Sequence, residues 1–200
     1  MGQRVSGFER KDGDEYMTPQ WVAETLCYAI PMYGTVWEPA CGEGAIARAI
    51  YTAAHINVFA TDLDSRHSTT YGPLDFLGDV TRVTDWFEGP LTIVTNPPYG
   101  KGGRLAQAFV RRALELTEPS RGRVAMLLPV AWDAACTRQH LFEDFPHHIT
   151  KITLTERIRW TNLPQSKNGP SENHAWYIWN WAGRGRDHRW LGRVRKEAAQ

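Results

Sequence analysis

The chain has 200 residues, of which 42% are hydrophobic and 22% charged, and a formal net charge of +1. That suffices for one globular domain with a real core, leaves little room for a second, and is too ordinary for a disordered or fibrous chain. No apolar run approaches the roughly 20 residues a bilayer demands, and the amino terminus is polar and of mixed charge, so neither a membrane span nor a leader is expected and a cytoplasmic location is.

Cys27, Cys41 and Cys136 are odd in number and widely spaced, and the seven histidines show no ligand spacing, so reduced thiols and no metal are expected. The small net charge conceals an asymmetry. Residues 151–200 carry 10 of the 23 Lys and Arg but only 4 of the 22 Asp and Glu, which leaves 13 against 18 in residues 1–150. A basic carboxyl-terminal quarter on an acidic body suggests contact with a polyanion.

Residues 1–15 are polar and aperiodic and read as a mobile arm. Tyr16-Met17-Thr18-Pro19 follows, and Trp21, Val22, Leu26 and Ile30 then recur at helical spacing, so a helix is expected over 20–30. Thr18 ahead of Pro19 suits a helix cap. The run Val36 to Gly44 reads as a strand, a glycine turn and the start of a helix over 45–54. Gly42 and Gly44 permit a tight turn and close approach of backbone to a ligand. Asp62 stands twenty residues after Gly42, at the end of the next strand, 56–60, where a carboxylate can take ribose hydroxyls. The Glu38-Pro39-Ala40-Cys41-Gly42-Glu43-Gly44 turn lacks the third glycine of a dinucleotide fingerprint and carries carboxylates. These would repel a pyrophosphate and favour a ligand with sulfonium and ammonium groups. Glu38 is the candidate partner of such an ammonium, and Glu43 is placed where negative charge favours a helix start.

Leu91-Thr92-Ile93-Val94-Thr95 is a buried strand by length and β-branching, and Pro97 and Pro98 stop it at once. Asn96 and Tyr99 are thereby held rigidly past the strand's carboxyl end, where open α/β sheets place ligands. The Asn96 side-chain oxygen and the Pro97 carbonyl can both accept from a planar amino group and draw its lone pair out of conjugation, while Tyr99 can stack on a base. Lys101 and Arg104, on the glycine-rich segment that follows, are candidate phosphate contacts. A helix over 105–116, a strand over 123–130, a helix over 137–145, and strands over 149–158 and 174–181 complete the alternation of a doubly wound, mainly parallel sheet. Trp176, Trp179 and Trp181 are expected to pack in its core. The polar stretch 159–173 is a long loop. Residues 183–200, with Arg184, Arg186, Arg189, Trp190, Arg193, Arg195 and Lys196, read as a basic tail outside the domain, which spans 16–182.

Taken in order, Thr18-Pro19, the Glu38 turn, Asp62, Asp75-Phe76-Leu77 and Asn96-Pro97-Pro98-Tyr99 resemble the motifs of S-adenosylmethionine-dependent DNA adenine-N6 methyltransferases of the small, orphan or phage type. The resemblance covers residues 16 to about 181. It implies a Rossmann-like class I methyltransferase fold with a seven-stranded sheet whose last strand is antiparallel. It also implies S-adenosylmethionine as cofactor, held by Thr18, Pro19, Glu38, Pro39, Ala40, Gly42, Gly44, Asp62, Leu63, Asp75, Phe76 and Asn96, with Thr18-Pro19 at the methionine carboxylate. Asp75 would accept from the cofactor's adenine amino group, with Asp79 as its rival. Asn96, Pro97, Pro98 and Tyr99 would be catalytic, acting on an adenine flipped out of duplex DNA. The resemblance further implies that the 159–173 loop helps hold the substrate, for which Trp160, Asn162, Ser166, Lys167 and Asn173 are suitable residue types. RNA-base, cytosine-N4 and protein-glutamine methyltransferases share the tetrapeptide or a close variant, and an inactive nucleic-acid-binding module would keep the fold. With no room for a separate recognition domain, recognition is expected from the arm, the loop and the tail, or from a second copy in a symmetric dimer.

Overall fold

In the computed structural model, which describes residues 16–64, 71–160 and 170–193, the apolar runs become strands of one seven-stranded sheet with the order β2-β1-β3-β4-β6-β5-β7. The strands are β1 Thr35–Glu38, β2 Val58–Ala60, β3 Leu91–Thr95, β4 Arg123–Pro129, β5 His148–Leu154, β6 His174–Asn180 and β7 Arg186–Leu191. The helices are α1 Gln20–Ala29, α2 Ala45–Ala54, α3 Thr81–Thr84, α4 Arg104–Thr117 and α5 Gln139–Phe142. β6 runs antiparallel to β4 and β5, and every other pairing is parallel.

The central strands β3, β4 and β6 are buried on both faces, as their unbroken apolar runs require. α1 and α2 cover one face, where Val22, Leu26, Ile46 and Ile50 meet Val36, Val94, Leu127 and Trp176. α4 covers the other: Ala106, Phe109, Val110, Ala113 and Leu114, spaced by three and four, meet Trp37, Ile93, Val124 and Met126. All five residues of β3 are buried. From β1 the chain steps outward to β2 and then crosses back to β3 on the other side. The carboxyl ends of β1 and β3 therefore face a crevice at a reversal of strand order, the usual place for a ligand in such sheets.

Several expectations need correction. The antiparallel strand is the sixth in sequence rather than the last, because residues expected to form a tail supply β7, parallel to β5 with Thr153 beside Trp190. Its polar sequence hid it; charged side chains are what an exposed edge strand carries. Arg186 explains why it docks: its guanidinium donates to the carbonyls of Phe142, Phe145 and His147, which close the segment after α5. Thr18 does not cap α1. Pro19 is the cap residue and no side chain bonds there. The helix expected over 137–145 shrinks to a 3-10 turn and the single turn of α5, and β5 ends at Leu154 rather than at Ile158. The expected arm, residues 1–15, and the tail residues Arg195 and Lys196 lie outside the described residues. Among those described, no helix is long and apolar enough to cross a membrane.

Candidate active site at the carboxyl end of the sheet

The glycine turn after β1 is set by its backbone. Gly42 has φ +50°, and a Cβ built there would meet nothing within 4 Å, so the space above the turn is open to a ligand. Gly44, at φ +72°, serves the chain instead and starts α2. Asp62, just past β2, clamps the turn: Oδ2 accepts from the Gly42 amide at 2.8 Å and Oδ1 from the Asp64 amide at 2.9 Å. A carboxylate accepts about four hydrogen bonds, so each oxygen keeps capacity for a hydroxyl.

Glu38 ends β1 with 1% exposure, and its Oε2 accepts from the Ala47 amide at 2.9 Å, in the first turn of α2. That bond satisfies one of the helix's free amides from a neighbouring strand. Burial pushes the Glu38 carboxyl well above the usual carboxylate range and the charge of Asp62 adds to the effect, against the lowering influence of the Ala47 amide and Arg48. Cys41, between the two acids, is pushed up to about 12 by burial and by the same charges. A cation placed beside Glu38 would find a desolvated acceptor.

A cavity of about 780 Å³ opens over these groups, a size within the range of small-molecule sites. Its walls are Tyr16 to Gln20, Glu38 to Glu43, Asp62 to Asp64, Leu74 to Leu77, Asn96, Pro98, Leu105 and Phe109. Thr18, Pro19, Glu38, Pro39, Ala40, Gly42, Asp62, Leu63, Asp75, Phe76 and Asn96, from five separate stretches, thus meet around one space. Phe76 is 2% exposed and packs against Trp37 and Phe109, with ring centroids 5.2 and 4.9 Å away, giving an apolar wall suited to a flat ring. Asp75 stands on that wall, with Oδ1 accepting from the Leu77 amide at 3.0 Å. Asp79 is engaged at the start of α3. The amide and hydroxyl of Thr81 donate to it at 3.0 and 2.7 Å and hold its carboxyl below the usual range.

Asn96 lies at the edge of the cavity with both ends of its amide engaged. Its Nδ2 donates to the Tyr16 carbonyl at 3.1 Å and to Thr18 Oγ1 at 3.2 Å, and its Oδ1 accepts from the Tyr99 hydroxyl at 3.2 Å. A carbonyl can only accept, so the side of the amide facing Tyr16 must be the nitrogen. Pro97 is buried behind it. The Tyr99 ring belongs to a group of four aromatic rings, stacked near Tyr16 at 5.9 Å and near His174 at 6.3 Å. Trp160 lies 5.2 Å from each of the latter two. His174 begins β6 and is 2% exposed. Burial pushes its imidazole down to about 4 against a weak approach of the Glu172 backbone, and neither ring nitrogen makes a full hydrogen bond with the described residues.

The remaining expected substrate contacts are dispersed. Lys101 and Arg104 are exposed on the turn into α4. Asn173 is occupied within the chain: Oδ1 accepts from Arg157 Nε at 2.7 Å and its carbonyl from the Val130 amide. Asn162, Ser166 and Lys167 lie outside the described residues. Sequence reasoning gave no role to Tyr16 or His174. No short-range pattern marks either, because their partners are up to 80 residues away.

No family model matches the sequence, and no curated protein matches it significantly. Solved structures share its fold. A modification subunit of a putative type I restriction enzyme from Vibrio vulnificus superposes with a TM-score of 0.60 over 94% of this chain at 16% identity. A putative class I S-adenosylmethionine-dependent methyltransferase from Listeria monocytogenes gives 0.58 over 88% at 17%. DrdV in complex with DNA gives 0.62 over 88% at 11%. The chain spans 49%, 65% and 27% of these proteins' own lengths. What is shared is the fold, that of class I methyltransferases.

Proposed function

We propose that the chain is an S-adenosylmethionine-dependent methyltransferase that acts on the exocyclic amino group of a nucleic-acid base, and that its substrate is N6 of adenine in DNA. The observation that carries the reading is Asn96. It is an amide at the end of a parallel strand, on the wall of a cavity of cofactor size, with its nitrogen tied back and its oxygen on the Tyr99 side.

The cavity's donors fit the cofactor. Asp62 retains acceptor capacity for the ribose hydroxyls, and the open space over Gly42 admits a ligand against the backbone. Phe76 and Asp75 offer a flat apolar wall and an acceptor for an adenine, and Glu38 is a buried carboxylate that gains from an ammonium. When bound, the cofactor supplies an electrophilic methyl group on a sulfonium.

The chain's own residues act on the other reactant. An aromatic amino nitrogen is a poor nucleophile because its lone pair is delocalised. Asn96 Oδ1 and the Pro97 carbonyl accept its two N–H groups and favour the pyramidal form, while Tyr99 holds the ring by stacking. The lone pair that Asn96 and Pro97 direct outward would take the cofactor's methyl group, and the cofactor's sulfur would keep the bonding pair. The amino proton, made acidic by the new bond, passes to water. Positioning supplies much of the acceleration, and no group with a matched pKa is required.

Support for DNA comes from neighbours that include a restriction modification subunit and a DNA complex. The Asn96→Ala variant tests the reading. Its turnover falls by about a hundredfold, by analogy with loss of one positioned polar group, while cofactor affinity by calorimetry is largely kept. Turnover close to that of the parent protein refutes it.

A further inference from the structure

We infer that Thr18 is a positioning residue, which acts through Asn96 by anchoring the nitrogen end of its amide so that the oxygen is held in place for the substrate. The inference rests on the reading of Asn96 as the acceptor of the substrate amino group.

Thr18 is 8% exposed and sits in front of a helix it does not cap. Its hydroxyl oxygen instead accepts from Asn96 Nδ2 at 3.2 Å, beside the Tyr16 carbonyl, which accepts from the same nitrogen at 3.1 Å. The two amide N–H groups thus have two acceptors on one short strap, 78 and 80 residues earlier in the chain. On the other side, the Tyr99 hydroxyl donates to Oδ1.

The two ends of an asparagine amide are nearly the same size, so packing does not distinguish them; only the hydrogen-bond partners do. A flipped amide would set Oδ1 against the Tyr16 carbonyl, acceptor against acceptor, and would present an N–H to a substrate amino group that itself carries N–H. Such a state repels the substrate group it has to grip. The Tyr16 carbonyl, which can only accept, sets which end of the amide faces the strap, and no substitution removes it; the Thr18 hydroxyl adds the second bond that fixes the amide's position, and it is the part of the device that can be edited. The same strap lines the cavity, so Thr18 also has the position to touch the cofactor, and the test must separate the two roles.

The experiment begins with turnover of the parent protein on unmethylated adenine-containing DNA at saturating cofactor. Absence of turnover there, with RNA or protein methylated instead or nothing methylated, refutes the reading of the substrate rather than the role of Thr18. Given turnover, Thr18→Val removes the hydroxyl at nearly constant shape. The expected result is a fall in kcat of about fivefold, the weight of one net hydrogen bond, with the cofactor Kd within about twofold of the parent value by calorimetry. Thr18→Ser restores kcat. In the Asn96→Ala background Thr18→Val has no further effect, because its route of action is gone. Unchanged kcat, a loss that excess cofactor reverses, or additive losses in the double variant each overturn the inference.

Discussion

His174 offers a prediction whose size follows from its surroundings. The imidazole is 2% exposed among the rings of Tyr99 and Trp160, and burial pushes it down to about 4 from 6.5. Between those values the unfolded chain takes up a proton that the folded chain refuses, so stability falls as pH drops from 6.5 toward 4. At pH 5 the linkage amounts to about 2 kcal/mol relative to pH 8. His174→Phe keeps a flat apolar ring and abolishes the titration. Urea unfolding of both proteins at pH 8, 6.5 and 5 isolates this group, since every other ionisation is common to the pair. The variant's stability relative to the parent is expected to rise by about 2 kcal/mol between pH 8 and pH 5, whatever constant offset the larger ring introduces. A difference that stays flat across this range refutes the assignment of a buried neutral histidine beside Tyr99.

Two further predictions concern charges whose roles the fold redefines. Glu38 carries a raised pKa in the folded chain, so stability is lost as pH rises above the unfolded value near 4.5. Glu38→Gln is expected to melt higher than the parent at neutral pH, by a margin that grows with pH, yet to gain less from added S-adenosylmethionine because the ammonium loses its charge partner. Melting curves with and without cofactor check both halves. Arg186→Ala is expected to cost about 1 kcal/mol in urea unfolding, since of the three docking hydrogen bonds it removes only that to Phe145 is partly buried, the other carbonyls being open to water. An unaltered midpoint with weakened DNA binding would instead restore the view of this segment as a basic tail.

Much of the frame was legible because its signals are local. β3 occupies the five residues expected of it, since a β-branched run stopped by two prolines has no other regular conformation. α2 likewise keeps its expected limits, opened by Gly44 in a left-handed conformation and built from alanine. The stretches carrying Glu38, Asp62, Asp75 and Asn96 meet at one cavity; residue type and spacing nominated Glu38, Asp62 and Asn96, while Asp75 was nominated by the family resemblance alone. What stayed hidden depends on long-range partners. Thr18 has a local explanation, a helix cap, and a different use 78 residues away. β7 lacks an apolar alternation because it is an edge strand, held by Arg186 and by Arg189, whose guanidinium donates to the Ala29 carbonyl. The basic character of the carboxyl-terminal quarter is real, but Arg186 and Arg189, with Arg193 facing Glu156, are engaged within the chain. The count of charges therefore overstates what remains to meet a polyanion.

The central claim is tested most directly by identifying the product. The protein is incubated with S-adenosylmethionine carrying an isotopically labelled methyl group and, in parallel, with unmethylated DNA, RNA and a protein extract. Each polymer is then digested and its constituents resolved by mass spectrometry. The expected result is label in N6-methyladenine from DNA, lower by about a hundredfold in initial rate when Asn96→Ala replaces the parent protein. Label found only in RNA nucleosides, in N4-methylcytosine or in methylglutamine, or in no product at all, contradicts it.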